Sequence, residues 1–513
     1  MIKKIFDPLS FRMLTALGYI LLIFLIISFS LVLFGWHWLI VLSFSPLLVL
    51  YATFCVKTIE EVRAIAFSFG TFLQLVIYIY ISLYVDYTSI YSTSVLLFED
   101  IYYTLYLDGV SLLFMILTNL VFFIVYLSSR AYVKVNYLQF MIQMSFLQWF
   151  LLQCFLSANL LFFYIFFEAV LIPMFLLIGV WGSRRRKIYA SYLFFMYTLT
   201  GSLIMLLAIC YIATICPTLL WVDLLSLYPN LSFFFESLLF CCFFLAFAIK
   251  APMFPFHLWL PEAHVEAPTL GSVILAGILL KLGGYGMLRF LIPIFPNASA
   301  AYSYFIYLIC LISVLYSALI GLCQLDMKKI IAYSSITHMN FSIAGLFSND
   351  LLGVQGAIYS MFSHGLISSG LFMCVGVLYD RYKTRLLGYY SGLGVGMPLF
   401  TVLFFLLVIA NVGIPPFSGF LSEIIVLFGL ISVNKILVML LFLSSIFMTI
   451  NFFWFFNRIC CGPLTRSSIL LKDLSVDEFV PLFILIFGSF IFGLFPNYIF
   501  MFTSEFVENV VLY

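Results

Sequence analysis

Apolar runs of about twenty residues recur from one end of this chain to the other, and nothing else in it constrains the fold as strongly. An α-helix rises ~1.5 Å per residue, so a run of ~20 crosses the ~30 Å hydrocarbon core of a bilayer. By hydropathy the spans fall near 13–34, 38–56, 64–85, 109–129, 137–157, 158–181, 189–213, 235–252, 268–291, 302–323, 328–347, 354–379, 398–432, 436–456 and 480–500, about fifteen in all. The connections are too short for a soluble domain. Composition agrees: 65% of residues are hydrophobic and 9% charged, against ~25% charged in soluble domains, and the mean hydropathy is +1.21. The expected fold class is an all-α polytopic membrane protein. A net charge of +2 leaves no basic surface for nucleic acid. Lys3, Lys4 and Arg12 precede the first run without a small-residue cleavage site, which predicts an uncleaved first span. The 11 cysteines form no CxxC or Cys/His ligand spacing and read as small packing residues.

The basic residues test the span count. Lys57 and Arg63, Arg130 and Lys134, Arg184 to Lys187, Lys328 and Lys329, Arg381, Lys383 and Arg385, and Arg458 and Arg466 all fall in alternate connections, and so on one side of the membrane. The opposite connections, such as 214–234, 292–301 and 348–353, carry almost no basic charge. The positive-inside rule makes the basic side the matrix or cytoplasm.

Two segments are too long and too interrupted for straight helices. One, ~235–268, is broken at Pro252, Pro255 and Pro261; the other, ~398–432, at Pro415-Pro416 beside Gly413 and Gly419. Irregular backbone at membrane depth survives only inside protein or beside a water-filled cavity. Paired broken helices in corresponding positions point to a transporter's site, and a separation of five spans inverts one repeat relative to the other.

The ionisable residues within spans gather around these breaks. Glu168 lies ~15 Å deep by helical rise, Lys281 and His338 are equally central, and Lys250 and Glu423 sit in the broken segments. Each buried ion costs at least ~2.5–3.5 kcal/mol on insertion scales, so five in series indicate an ion path. Protons suit it. Low-dielectric surroundings bring amines and carboxylates toward a common proton affinity, neighbouring charges couple their titrations, and histidine relays protons near neutral pH. Ser334, Ser335 and Thr337 beside His338 are placed to hold water. His364, among small residues, is either a further relay or a packing residue.

Other candidates carry less. His257, Glu262, His264 and Glu266 lack the i, i+4 histidine pair of a zincin, so no metal site is expected; they read as the mouth of the path or a brace for the break. Gly392 to Gly396 follow no strand and read as a loop, and Asp108 reads as a helix N-cap.

Several stretches together resemble the antiporter-like membrane subunits of respiratory complex I, the proton-pumping NADH:ubiquinone oxidoreductase. They are Phe167-Glu-Ala-Val-Leu-Ile-Pro-Met-Phe-Leu-Leu-Ile-Gly-Val-Trp-Gly182, Lys250-Ala-Pro through Glu266-Ala-Pro268, and Leu279-Leu-Lys-Leu-Gly-Gly-Tyr-Gly286. Tyr333-Ser-Ser-Ile-Thr-His-Met339, Ser363-His-Gly365 and Pro415-Pro-Phe-Ser-Gly-Phe-Leu-Ser-Glu423 extend the match, which covers roughly 108–500.

The resemblance implies fourteen core helices with two inverted five-helix repeats, here 137–291 and 302–456, each with one broken helix. Residues 1–136 hold the N-terminal helices with 13–34 as an extra first span, and 457–513 the last loop and helix. It implies that Glu168 pairs with Lys250, that Lys281 and His338 form the central relay with His364 near it, and that Glu423 ends the path. Related subunits 2 and 5 and the sodium/proton antiporter subunits usually carry lysine at that last position, so glutamate selects one branch of the family. The long lateral helix of subunit 5 is not expected. Asn340 stands where the family more often has glycine. NADH, FMN, iron–sulfur clusters and ubiquinone are expected in other subunits, with no cofactor in this chain. The expected partners are other membrane-arm subunits, especially subunits 2 and 5, and lipids. Abundant Phe, Tyr and Ile indicate an AT-rich genome and hence a mitochondrial inner membrane, with a bacterial plasma membrane as the alternative. The rival function is a subunit of a multi-subunit sodium/proton antiporter.

Overall fold

A computed structural model of the chain describes residues 38–55, 60–84, 91–98, 101–225, 231–463 and 472–512. The expected first span at 13–34 lies outside the described residues. Every other expected span falls on helix, displaced by a few residues at most of its ends. Among the described residues, ten helices are long and apolar enough to cross a membrane. The chain divides into two compact units, Met1–Met174 and Phe175–Tyr513.

In the first unit, the described helices include Trp38–Cys55, Glu60–Tyr84, Gly109–Tyr132, Tyr137–Leu156 and Leu160–Ala169. Asp108 is the N-cap expected of it: its carboxylate accepts from the Ser111 amide at 2.9 Å, and the Ser111 hydroxyl accepts from the Asp108 amide at 2.9 Å. Between helices a polar knot forms where Gln148 donates to Asn119 at 2.8 Å and to Gln74 at 3.1 Å. An antiparallel hairpin, Tyr91–Phe98 with Ile101–Leu107, departs from the all-helical expectation. Its residues are largely Tyr, Thr, Val, Ile and Leu, side chains that suit a pleated surface, yet hydropathy alone assigns them to a connection. The Thr104 carbonyl accepts from the Ala158 amide at 3.2 Å, which ties the hairpin to the start of the Glu168 helix.

The 158–181 span is divided, with Leu160–Ala169 giving way to Leu171–Trp181. Pro173 explains the division. It has no N–H for the carbonyl of Ala169, four residues earlier, so the ladder is interrupted one residue after Glu168.

The second unit is built around two enclosed helices. Thr269–Ile294, which carries Lys281, and Leu351–Tyr382, which carries His364, are surrounded by protein along their apolar windows, whereas outer helices such as Lys435–Cys460 are about one third buried. Both expected breaks are present. The first broken helix runs Phe233–Lys250, turns through 251–258 and resumes as Trp259–Glu266; the second runs Pro398–Val412, turns, and resumes as Ser418–Ile431. Pro261, expected to interrupt the chain, instead lies in the first turn of the resumed helix, where its missing N–H would have had no intrahelical partner. The connection at 392–396 contains a single helical turn, Leu393–Gly396.

Ion pairs gather the basic connections of this unit at one end. Glu262 binds Lys329 at 3.0 Å and Arg186 at 3.5 Å, and the fully buried Arg385 lies 3.5 Å from Glu266 and 3.7 Å from Asp326. Arg381 holds Glu478 through two bonds of 2.8 Å. Connections 184–187, 328–329 and 381–385 thus share a face, as charge placement required.

Candidate ion path

The first broken helix ends on Lys250, which is buried at the last helical residue. The C-terminal end of a half-helix presents unsatisfied carbonyls and a partial negative charge, a setting that favours a cation. The backbone freed by the break is answered by side chains from three helices. Ser313 Oγ accepts from the Phe254 amide at 2.9 Å, Asn340 Nδ2 donates to the Pro252 carbonyl at 3.1 Å, and the Trp259 indole donates to the Ile249 carbonyl at 2.9 Å. Asn340 therefore supplies a donor to a carbonyl that the prolines left without one.

Close packing sets the lysine helix against this break. A Cβ at Gly283 would stand 2.7 Å from the Ala251 amide nitrogen and 2.9 Å from the Phe247 carbonyl oxygen, so only glycine lets Thr269–Ile294 approach one residue beyond Lys250. Lys281 itself lies between two π-helical turns, Leu275–Leu279 and Met287–Leu291. Such turns often mark functional sites in helices. Its ammonium reaches back five residues to the Ala276 carbonyl and across to His364 Nδ1 at 2.8 Å.

The series of ionisable groups continues from there. The rings of His364 and His338 lie 5.4 Å apart between centroids, and His338 Nδ1 sits 3.1 Å from Glu423 Oε1. Glu423 belongs to the second turn of Ser418–Ile431, after the second break. The two broken helices are therefore used differently, with a cation closing the leading half of one and an acid in the trailing half of the other. Gly413 makes the second turn possible: its φ is +75°, and a Cβ there would come within 3.1 Å of Glu423 Oε2. A small cavity opens beside His338, His364 and Glu423 and is lined also by Ser360, Ser363, Asn411 and Ser422.

Of the six residues singled out from sequence, Lys281, His364, His338 and Glu423 form one continuous series. Lys250 stands at the break beside the lysine helix. Glu168 is half-buried near the end of Leu160–Ala169, in the first unit. His364, ambiguous between relay and packing, is the second member of the series, bonded to Lys281 and facing His338. The polar residues Asn411, Ser363 and Ser422 escape a sequence reading. Neutral and one per turn, they give no signal apart from their excess in apolar helices.

The histidine–glutamate cluster at 257–266 disperses. His264 stacks on Phe372 at 4.4 Å, His257 lies between Phe254 and Tyr316, Glu262 binds Lys329 and Arg186, and Glu266 faces Arg385. Among the described residues no three such ligands converge on a metal position. Glu262 and Glu266 brace the basic end of the first broken helix.

Comparison with known proteins places this arrangement. Residues 157–449 match the NADH:quinone oxidoreductase/Mrp antiporter transmembrane family. The NADH-ubiquinone oxidoreductase chain 4 of Chondrus crispus is 48% identical over 408 residues, 78% of this chain and 81% of that protein. This chain belongs to the chain 4 family. The bacterial members are similar too: NADH-quinone oxidoreductase subunit M of Rickettsia prowazekii is 40% identical over 79% of this chain and 82% of its own length. Among solved structures, a chain of respiratory complex I from Thermus thermophilus superposes with a TM-score of 0.83 at 29% identity, covering 92% of this chain and 99% of that one. As a chain 4 family member, this is a multi-pass membrane protein and a subunit of a respiratory oxidoreductase complex.

Proposed function

We propose that this chain moves protons across the membrane along Glu168, Lys250, Lys281, His364, His338 and Glu423, driven by electron transfer elsewhere in complex I. The single observation that carries the reading is the unbroken series from Lys281 through His364 and His338 to Glu423, in which successive groups are in contact or share one polar cavity. Proton transfer requires heavy atoms ~2.6–3.2 Å apart or one bridging water, and the series meets that condition at both ends. Lysine, imidazole and carboxylate each hold or release a proton, and the charge on each biases its neighbour. A protonation change arriving from an adjacent subunit at Glu168 or Lys250 is thereby passed toward Glu423.

In this reading the chain is bordered by other antiporter-like subunits of the membrane arm, subunits 2 and 5, and lies in the mitochondrial inner membrane. Its low-charge, Phe-, Tyr- and Ile-rich composition supports a mitochondrial genome. The redox chemistry of NADH, FMN, iron–sulfur clusters and ubiquinone belongs to other subunits. The test is Lys250→Ala or Glu168→Ala in the assembled complex, with the expected outcome of lowered pumping and lowered coupled quinone reduction. Normal pumping in an assembled variant removes these roles. Purification without NADH oxidation activity would favour the sodium/proton antiporter assignment instead.

A further inference from the structure

The two broken helices turn in the same register. At the first break the Met253 amide donates to the Ala248 carbonyl at 2.9 Å, and the Phe256 amide to the Met253 carbonyl at 2.7 Å. At the second, Ile414 donates to Ile409 at 3.2 Å and Phe417 to Ile414 at 3.4 Å. The bonds coincide when Pro255 is matched to Pro416, and the same register matches Glu262 to Glu423 and Lys250 to Asn411. The structural counterpart of Lys250 is therefore Asn411 and not Glu423. Both side chains are buried in the last turn of a leading half-helix, where the final carbonyls lack intrahelical partners and carry partial negative charge. The first repeat places an ammonium at that end, the second a neutral amide.

That amide lies at the site. Asn411 is only 4% exposed, and among the described residues its Nδ2 meets no acceptor. A buried donor left unanswered is costly, and such groups are ordinarily met by internal water. Leucine would fill similar space without a polar atom, so packing alone does not call for the amide. Space for water adjoins it: Asn411, His338 and Glu423 together line two small cavities, one shared with Ser363 and His364, the other with Thr337 and Ser444. The Nε2 atoms of His338 and His364 are likewise buried without a partner among the described residues.

We infer that Asn411 is a positioning residue of the second break, its amide holding an ordered water against the His338–Glu423 pair where the first repeat holds a lysine. A neutral amide takes up no proton, so it orients water without competing with His338 for the proton that Glu423 receives. The water stands on the geometry around Asn411; its part in pumping rests on the function proposed above.

The experiment uses the assembled complex, with a cryo-EM map that resolves ordered water and with pumping rates measured in proteoliposomes. The map should show water bonded to Asn411 Nδ2 in a cavity shared with His338 and Glu423. Pumping should fall roughly twofold to tenfold in Asn411→Leu, as for the loss of one neutral hydrogen bond, and recover in part in Asn411→Ser. A residue that merely packs gives the reverse order, because leucine keeps the volume and serine does not. Dry cavities, or an Asn411 amide satisfied by protein groups alone, overturn the water site, and do so even if no variant assembles. An unchanged rate in Asn411→Leu, or a greater loss in Asn411→Ser, alongside a lowered rate in Lys281→Met, overturns the positioning role but leaves the main path standing. Unchanged rates in Asn411→Leu and Lys281→Met overturn that role and the proposed function together.

Discussion

Lys281→Met separates the structural contribution of the central lysine from its transport role. Methionine nearly matches the length of lysine and removes the ammonium. The Ala276 carbonyl and His364 Nδ1 then lose a partner, at ~1–3 kcal/mol each. Against this, the substitution removes a fully buried cation, whose desolvation costs several kcal/mol. The two terms nearly cancel, so the complex should assemble in wild-type amount on a native gel. Transport should not survive as well. A charged hydrogen bond is worth ~1.5–3 kcal/mol, and ~1.4 kcal/mol corresponds to a factor of ten in rate, so a proton step through position 281 should slow by roughly tenfold to a hundredfold. The assay is dye-quench pumping by the purified complex in proteoliposomes, normalised to NADH oxidation. A fully assembled Lys281→Met complex that pumps at the wild-type rate and ratio would refute the reasoning.

Other substitutions test other parts of the site. Glu423→Gln keeps an acceptor for His338 but cannot exchange a proton, so pumping should fall while assembly and heat stability remain; equal pumping counts against Glu423 as a path residue. Asn340→Leu strips the Pro252 carbonyl of its donor and should destabilise the break by ~1–3 kcal/mol, seen as a shorter half-life of the purified complex on heating. Gly413→Ala forces a side chain into φ +75° beside Glu423, costing ~1–2 kcal/mol from backbone strain alone; lower stability with reduced pumping is expected, and unchanged behaviour in both would show that the turn relaxes.

Much of the architecture is legible along the chain because a bilayer leaves few choices. Backbone groups in hydrocarbon must be satisfied within the segment, so apolar runs become helices. The placement of Arg184 to Lys187, Lys328 and Lys329, and Arg381 to Arg385 likewise indicates the end at which they meet Glu262, Glu266 and Asp326. The prolines at 252, 255 and 415–416 announce the breaks because a missing N–H is a local property. Pro261 departs from its expectation for the same reason, since proline disrupts a helix interior but not its first turn, and only the resumed helix shows which applies. The hairpin at 91–107 leaves no mark in a hydropathy reading because its aromatic and β-branched residues pass as a connection between spans.

Residue type and depth by themselves nominate Glu168, Lys250, Lys281, His338 and Glu423, because an ion in an apolar span is expensive wherever it sits. Their connectivity is a different matter. Whether His364 packs or relays depends on which of its neighbours lies within hydrogen-bond distance, and residues 281, 338, 364 and 423 come from four helices whose rotation and approach no local pattern specifies. Tertiary packing through Gly283 and Gly413 brings those faces together, and it alone assigns Asn340 to a freed carbonyl.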